Sequence, residues 1–246
     1  MPAPRLHVDT PLSAGLDLPL PDNAARHVQV LRLQPGDELS LFDGQGGEWA
    51  AQVLQMGRRE VTVTVLAHRA INCELQRPVT LALGMPANER MDSMVEKATE
   101  LGAATIQPLV CERSVLRLAG DRAERKAAHW QAVAIAACEQ SGRNRVPRVA
   151  SPVALRDWLA AMESDSQSER LMLSLDAQAQ PLLRQLSASS QAPLVFLSGP
   201  EGGLSRAEQA LAGQHGFQPV TLGPRTLRAD TAPLAALACI AALEGR

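Results

Sequence analysis

The chain has 246 residues, of which 46% are hydrophobic and 20% charged, and its formal net charge is −2. It is long enough to bury a sizeable core in two domains, and too apolar for disorder to be expected. A charge so close to zero excludes attraction to nucleic acid by the molecule as a whole, so any such contact depends on a locally basic surface.

The first 73 residues read as a small β domain. A helical stretch at 22–31 precedes the Pro35-Gly36 turn. Residues 38–42 alternate apolar and polar, Asp43-Gly44-Gln45-Gly46-Gly47 turns, and residues 48–54 and 60–67 alternate again, which predicts hairpins. Six arginines stand against eight acids in this part, so charge alone allows a structural or protein-contact role as well as one that holds RNA. Candidate phosphate contacts are Arg26, His27, Arg32, Arg58 and Arg59, each also readable as an ordinary solvated side chain.

Near Arg77 the period changes. Residues 79–85 predict a buried strand that opens an α/β domain, giving domains 1–73 and 74–246. Met91, Met94, Val95, Ala98 and Leu101 share one helical face, Gly102 ends that helix, and residues 104–110 form a strand. Asp121 with Glu124 caps another helix, whose Trp130, Val133, Ala134, Ala137 and Cys138 line one face until Gly142. Between Cys111 and Arg148 seven arginines and one lysine outnumber four acids, making this the basic stretch of the chain. Arg113, Arg143 and Arg145 fall at element ends, which suits contact with an RNA backbone, whereas Arg122, Arg125 and Lys126 fit a solvated helix surface. Glu139 and Arg143 are spaced for a local pair, with reach across a dimer as the alternative. Stretches 162–170 and 185–193 read as surface loops flanking a strand at 171–175.

Residues 194–197 form an apolar run that stops at Gly199-Pro200-Glu201-Gly202-Gly203, whose glycines reach backbone conformations closed to other residues. Ser205, with Glu208 three positions on, reads as a capping box, so a helix starts at Arg206 and runs to Gly213 or Gly216. Residues 219–222 predict another strand, closed by Gly223-Pro224. Thr231 caps a last helix that tolerates Pro233 in its first turn. A glycine loop at a helix N-terminus suits phosphate, but this one lacks the lysine of G-x-x-x-x-G-K-[ST], misses the G-x-G-x-x-G spacing and carries Glu201. A ligand read by backbone groups beside an acid fits better, adenosine joined to a cationic sulfonium being one. Spacing alone leaves a pair of tight turns in an α/β core equally open.

Cys73, Cys111, Cys138 and Cys239 are far apart, with no C-x-x-C pair and no histidine cluster, so buried reduced thiols are expected rather than a metal site or disulfides. The N-terminus lacks a charged region followed by an apolar core. The longest apolar run, 234–243, is half a membrane span, so a cytoplasmic location is expected.

GPEGGLSRAE, LGPRTLRADTA, ERMDSMVEKATELG, ERSV and EQSGRNRVP together resemble the bacterial 16S ribosomal RNA uracil-N3 methyltransferases, a family of the SPOUT class. The resemblance runs from HVQVLRLQPGDELSLFDGQG to the last helix. Two departures stand out. Thr226 and Asp230 replace the isoleucine and glutamate of the family's I-L-R-x-E-T-A, and Ala87 stands where a lysine is common.

The resemblance implies an N-terminal PUA-like β-barrel that helps hold RNA, and a C-terminal α/β domain tied in a deep trefoil knot. Three loops, 174–176, 198–203 and 222–228, would converge there on S-adenosylmethionine. That assigns the cofactor to Leu175, Ser198, Gly199, Pro200, Glu201, Gly202, Gly203, Leu222, Gly223 and Leu227. It further implies a homodimer with a site drawn from both subunits, and 16S rRNA, within a small-subunit particle, as the substrate. For methyl transfer to uracil N3, Arg225 or Arg228 would stabilise negative charge on the uracil, and Glu201, Asp230 or a water would take the proton. Glu201 accepting N–H groups of its own loop and Asp230 capping a helix are the structural alternatives. At the level of function the alternatives are a SPOUT enzyme acting on a ribose 2′-hydroxyl and a non-catalytic ribosomal RNA-binding module.

Overall fold

Strands that alternate apolar and polar residues bury one face when they pair, and the first part of the chain is built on that period. The computed structural model describes residues 3–58, 60–86, 90–162, 167–186 and 190–244. Arg59, Ala87 and parts of the expected loops at 162–170 and 185–193 lie outside the described residues. By its contacts the chain divides into two units, Met1–Glu74 with Cys138–Val146, and Leu75–Ala137 with Pro147–Arg246.

The first unit holds β1 (Arg5–His7), β2 (Asp17–Pro19), α1 (Asp22–Val30), β3 (Glu38–Phe42), β4 (Glu48–Met56) and β5 (Val61–Arg69). Their sheet has the order β1-β3-β4-β5-β2. β3, β4 and β5 pair antiparallel, with register shifts in β4 between Trp49 and Ala51 and between Val53 and Gln55. Such shifts bend a strand and increase its twist. Leu6, Leu39, Leu41, Val53 and Val63 make one core with Ala24, Ala25 and Val28 of α1.

The segment 138–146 is fastened into this unit by polar contacts. Glu139 accepts from the His7 backbone N–H at 2.9 Å, and Arg5 donates to Asn144 Oδ1 at 2.6 Å and to the Arg143 carbonyl at 3.1 Å. Arg143 is 3% exposed and pairs with Glu74, its Nε 3.0 Å from Oε1. Glu139 and Arg143 thus each have a long-range partner.

The second unit comprises β6 (Val79–Gly84), α2 (Arg90–Glu100), β7 (Thr105–Val110), α3 (Gly120–Ser141), β8 (Arg148–Val149), β9 (Val153–Ala154) and α4 (Leu155–Ala160). There follow β10 (Glu169–Leu173), β11 (Gln180–Pro181), α5 (Leu182–Gln185), β12 (Leu194–Ser198), α6 (Arg206–Gln214), β13 (Gln218–Thr221) and α7 (Thr231–Glu244). The last residues of α3, from Cys138 on, count with the first unit.

The sheet of this unit is parallel, in the order β11-β13-β10-β12-β6-β7-β8, with β9 also on β7. A parallel sheet is covered on both faces, which is why its strands read as unbroken apolar runs. β12 shows the division: Leu194 and Phe196 join the cluster of Met91, Trp130 and Leu237, while Val195 and Leu197 join that of Leu159, Ala212 and Phe217. Helices α2, α3 and α7 therefore cover one face, and α4 and α6 the other. Asp121 lies inside the first turn of α3 rather than ahead of it, since that helix starts at Gly120. All four cysteines are free, but only Cys111 and Cys138 are buried; Cys73 is exposed, against expectation.

Arg77 closes the sheet at its N-terminal edge. Its side chain is 1% exposed, with Nε 3.2 Å from Glu244 at the end of α7 and Nη1 3.3 Å from Glu169 at the start of β10. Removing one partner of a buried ion pair leaves the other charge without compensation. Arg77→Ala is therefore expected to cost about 3–5 kcal/mol, seen as a lower urea midpoint.

Asp92 in α2 supplies a pH-dependent link to α3. Burial pushes its carboxyl up, but hydrogen bonds from His129 Nε2 (2.7 Å) and Trp130 Nε1 (2.9 Å), with the charges of His129 and Lys126, outweigh that and hold it below the ordinary aspartate value. A carboxyl depressed on folding stabilises above its unfolded pKa, and that contribution fades as pH falls through the folded value. Asp92→Asn should flatten the acid limb of stability below about pH 4, checked by thermal melts across pH 2–7.

Candidate active site

β10, β12 and β13 are neighbours in the parallel sheet, so the segments that follow them emerge at one edge, where open α/β sheets take their ligands. A cavity of about 370 Å³ lies there. Ser174 and Leu175 line it from the first segment, residues 198–204 from the second, and Leu222, Arg225, Leu227 and Ala229 from the third.

The glycine loop 199–203 is held by close contacts on both sides. A Cβ on Gly84, at the end of β6, would stand 2.5 Å from Pro200 Cδ and N, so the loop packs directly on the strand backbone. Gly203 has φ +66° and donates its N–H to the Pro200 carbonyl at 2.8 Å, closing the turn. The capping box then forms as expected. Ser205 Oγ accepts from Glu208 N–H at 3.2 Å, and Glu208 Oε2 accepts from Ser205 N–H at 2.8 Å.

The other oxygen of Glu208, Oε1, accepts from Glu112 N–H at 2.8 Å, which ties the segment after β7 to the start of α6. Ser114 Oγ accepts from Cys111 N–H at 3.0 Å, and Arg113 Nη1 donates to the Gly202 carbonyl at 2.8 Å. Arg113 thus lines the cavity and braces its glycine loop. Burial, reinforced by the charge of Glu208 and opposed by the Ser114 bond, pushes the Cys111 thiol up to about 12, so it stays protonated and unreactive.

The third segment faces two ways. Ala229 lines the cavity, whereas Arg228 and Asp230 line an adjacent cleft with Arg90, Met94 and Leu234. Thr231 is the first residue of α7, and its Oγ1 donates to Asp230 Oδ1 at 3.2 Å. One side chain links the two concavities. Arg90 Nη1 is 3.6 Å from Glu201 Oε1 and 3.9 Å from Asp230 Oδ2.

Most expected ligand contacts meet in one place: Leu175, Ser198, Gly199, Pro200, Glu201, Gly202, Gly203, Leu222, Leu227 and Arg225 all line the cavity. Gly223 turns the third segment with φ +112°, outside that lining. The basic residues disperse. Arg143 is a correction: buried and bound to Glu74, it is not available to RNA phosphate. Arg145, Arg26 and Arg32 are exposed in the first unit. Sequence reasoning missed Arg90, whose partners are remote in the chain, and the double duty of Glu208, of which only the capping spacing was visible.

A model of an RNA methyltransferase domain matches residues 73–241, and one of an RNA methyltransferase PUA domain matches 20–66. Ribosomal RNA small subunit methyltransferase E of Synechocystis is 40% identical over 220 residues, covering 87% of this chain and 69% of the relative. The chain belongs to the ribosomal RNA small subunit methyltransferase E family. A solved member of that family, from Neisseria gonorrhoeae and bound to S-adenosylmethionine, is 38% identical with TM-score 0.88 over 96% of both chains. A methyltransferase of Legionella pneumophila in complex with the same cofactor is 32% identical with TM-score 0.90 over 98% of both.

The contact between β6 and the glycine loop can be tested by adding one methyl group. Gly84→Ala should destabilise by about 1–3 kcal/mol through forced displacement of Pro200. Gly213→Ala, whose Cβ meets nothing within 4 Å, should leave the urea midpoint unchanged or raise it.

Proposed function

We infer that this chain transfers a methyl group from S-adenosylmethionine to ribosomal RNA, with uracil N3 of 16S rRNA as the acceptor. The observation that carries this reading is the convergence of three segments, one glycine-rich, on a single cavity at the C-terminal edge of a parallel sheet. Its volume of about 370 Å³ falls in the range of small-molecule sites, about 300–1,000 Å³. The donor set fits the cofactor. Gly203, whose Cβ position meets nothing within 4 Å, leaves backbone open to approach, Leu175, Leu222 and Leu227 offer apolar surface, and Glu201 sets a negative charge beside a ligand that carries a positive one.

When bound, the cofactor supplies an electrophilic methyl group on a sulfonium, so the protein's tasks are alignment and charge. A carboxylate of this site would take the proton from uracil N3, leaving that nitrogen to accept the methyl group the cofactor would supply. Glu201 and Asp230 are the carboxylates at hand, and Arg225 and Arg228 the exposed cations able to face the uracil carbonyls.

RNA is held, in this reading, by Arg26, Arg32 and Arg145 of the first unit, the first two of them inside the matched PUA domain. A deep trefoil knot, a homodimer, a small-subunit particle as the substrate and a cytoplasmic location belong to the same proposal and are supported by the family likeness. No helix among the described residues is long and apolar enough to cross a membrane.

The test is methyl transfer from labelled cofactor to 16S rRNA and to small-subunit particles from cells lacking this protein, followed by mapping of the product. N3-methyluridine is expected. A methyl on a ribose hydroxyl would move the acceptor, and absence of both transfer and cofactor binding by calorimetry would overturn the reading. Arg228→Ala should slow single turnover about 10²–10³-fold, because the charge it faces exists only as N3 loses its proton.

A further inference from the structure

Arg90 begins α2, and its guanidinium faces carboxylates from two segments that the chain reaches much later. Glu201 belongs to the glycine loop and Asp230 to the end of the third segment. Each lies within 4 Å of the same nitrogen, Nη1, and the two distances add to 7.5 Å, which bounds the separation of those carboxylate oxygens. Two acids this close repel one another unless a cation stands between them.

Stability alone gives a weak reason for this arrangement. The Arg90 side chain is 46% exposed, and ion pairs so open to water add little to folding. Position is the better reason. Glu201 lines the glycine-loop cavity, Asp230 lines the neighbouring cleft, and Arg90 lies within ion-pair distance of both.

We propose that Arg90 is a positioning residue for methyl transfer: it joins Glu201 to Asp230, fixes the orientation of both carboxylates, and leaves the trio with one net negative charge beside the acceptor nitrogen. This rests on the function proposed above. Arg90 acts through the two acids and takes no proton itself, since a guanidinium stays charged throughout.

Three variants test it, each assayed by single-turnover methylation and by calorimetry with S-adenosylhomocysteine. Arg90→Ala should slow methylation roughly tenfold to hundredfold, as loss of alignment does. Its product affinity should move less than about threefold, because the lost interaction serves the transition state and not uniform binding. Arg90→Lys should recover part of the rate by restoring charge without the fork. In a Glu201→Gln/Asp230→Asn background, adding Arg90→Ala should change nothing further, since the groups it positions are gone.

An unchanged rate in Arg90→Ala would overturn the proposal. So would an affinity loss as large as the rate loss, which would make Arg90 a prop for the loop, or an equal rate loss in the acid-free background. If the wild-type protein transfers no methyl group, the parent reading fails first; if it does and Arg90→Ala matches it, only this inference fails.

Discussion

A single buried carboxylate holds the site together. Glu208, 8% exposed, accepts from Ser205 N–H with one oxygen and from Glu112 N–H with the other, so it fixes the start of α6 and the segment after β7 at once. Hydrogen bonds to an ionised group are worth about 1.5–3 kcal/mol each, enough to offset part of the cost of burying the charge. From that anchor the rest follows in short steps: Arg113 reaches Gly202, Gly203 closes on Pro200, and Pro200 rests on Gly84. The glycine loop is flexible in composition and constrained in fact.

Arginine does two different jobs in this protein, and burial separates them. Arg5, Arg77 and Arg143 are enclosed and joined to carboxylates, where the planar fork satisfies several acceptors at once. Arg26, Arg32, Arg145, Arg225 and Arg228 are exposed. A near-neutral protein can thus carry many arginines and still offer cationic groups in chosen places.

The longer elements are legible in the sequence, because β3 to β7, α2, α3 and β10 carry a period or an apolar run long enough to be read, and β12, α6 and α7 are marked by apolar runs, turn glycines and caps. β1, β2, β8, β9 and β11 have two or three residues, and α4 and α5 six or fewer, too short for a period to show. These depend on neighbours: Val153, for example, pairs with Leu109. The turn glycines and the capping box are local signals and legible too, but spacing leaves their use open, and the convergence of three loops is implied by the family resemblance. Charge counting is less informative. It marks 111–148 as basic yet cannot tell that Arg143 is matched by Glu74, or that Arg90 meets two acids far along the chain.

The grouping of 138–146 with the first 74 residues also orders events during synthesis. Asn144 and Glu139, which bind Arg5 and the His7 backbone, are made long after those residues have left the ribosome. At roughly 5–20 residues per second, the 72 residues from 74 to 146 take about 4–14 seconds. Throughout that interval Glu74 has no Arg143 to pair with, so the first unit waits for the middle of the chain before its contacts are complete.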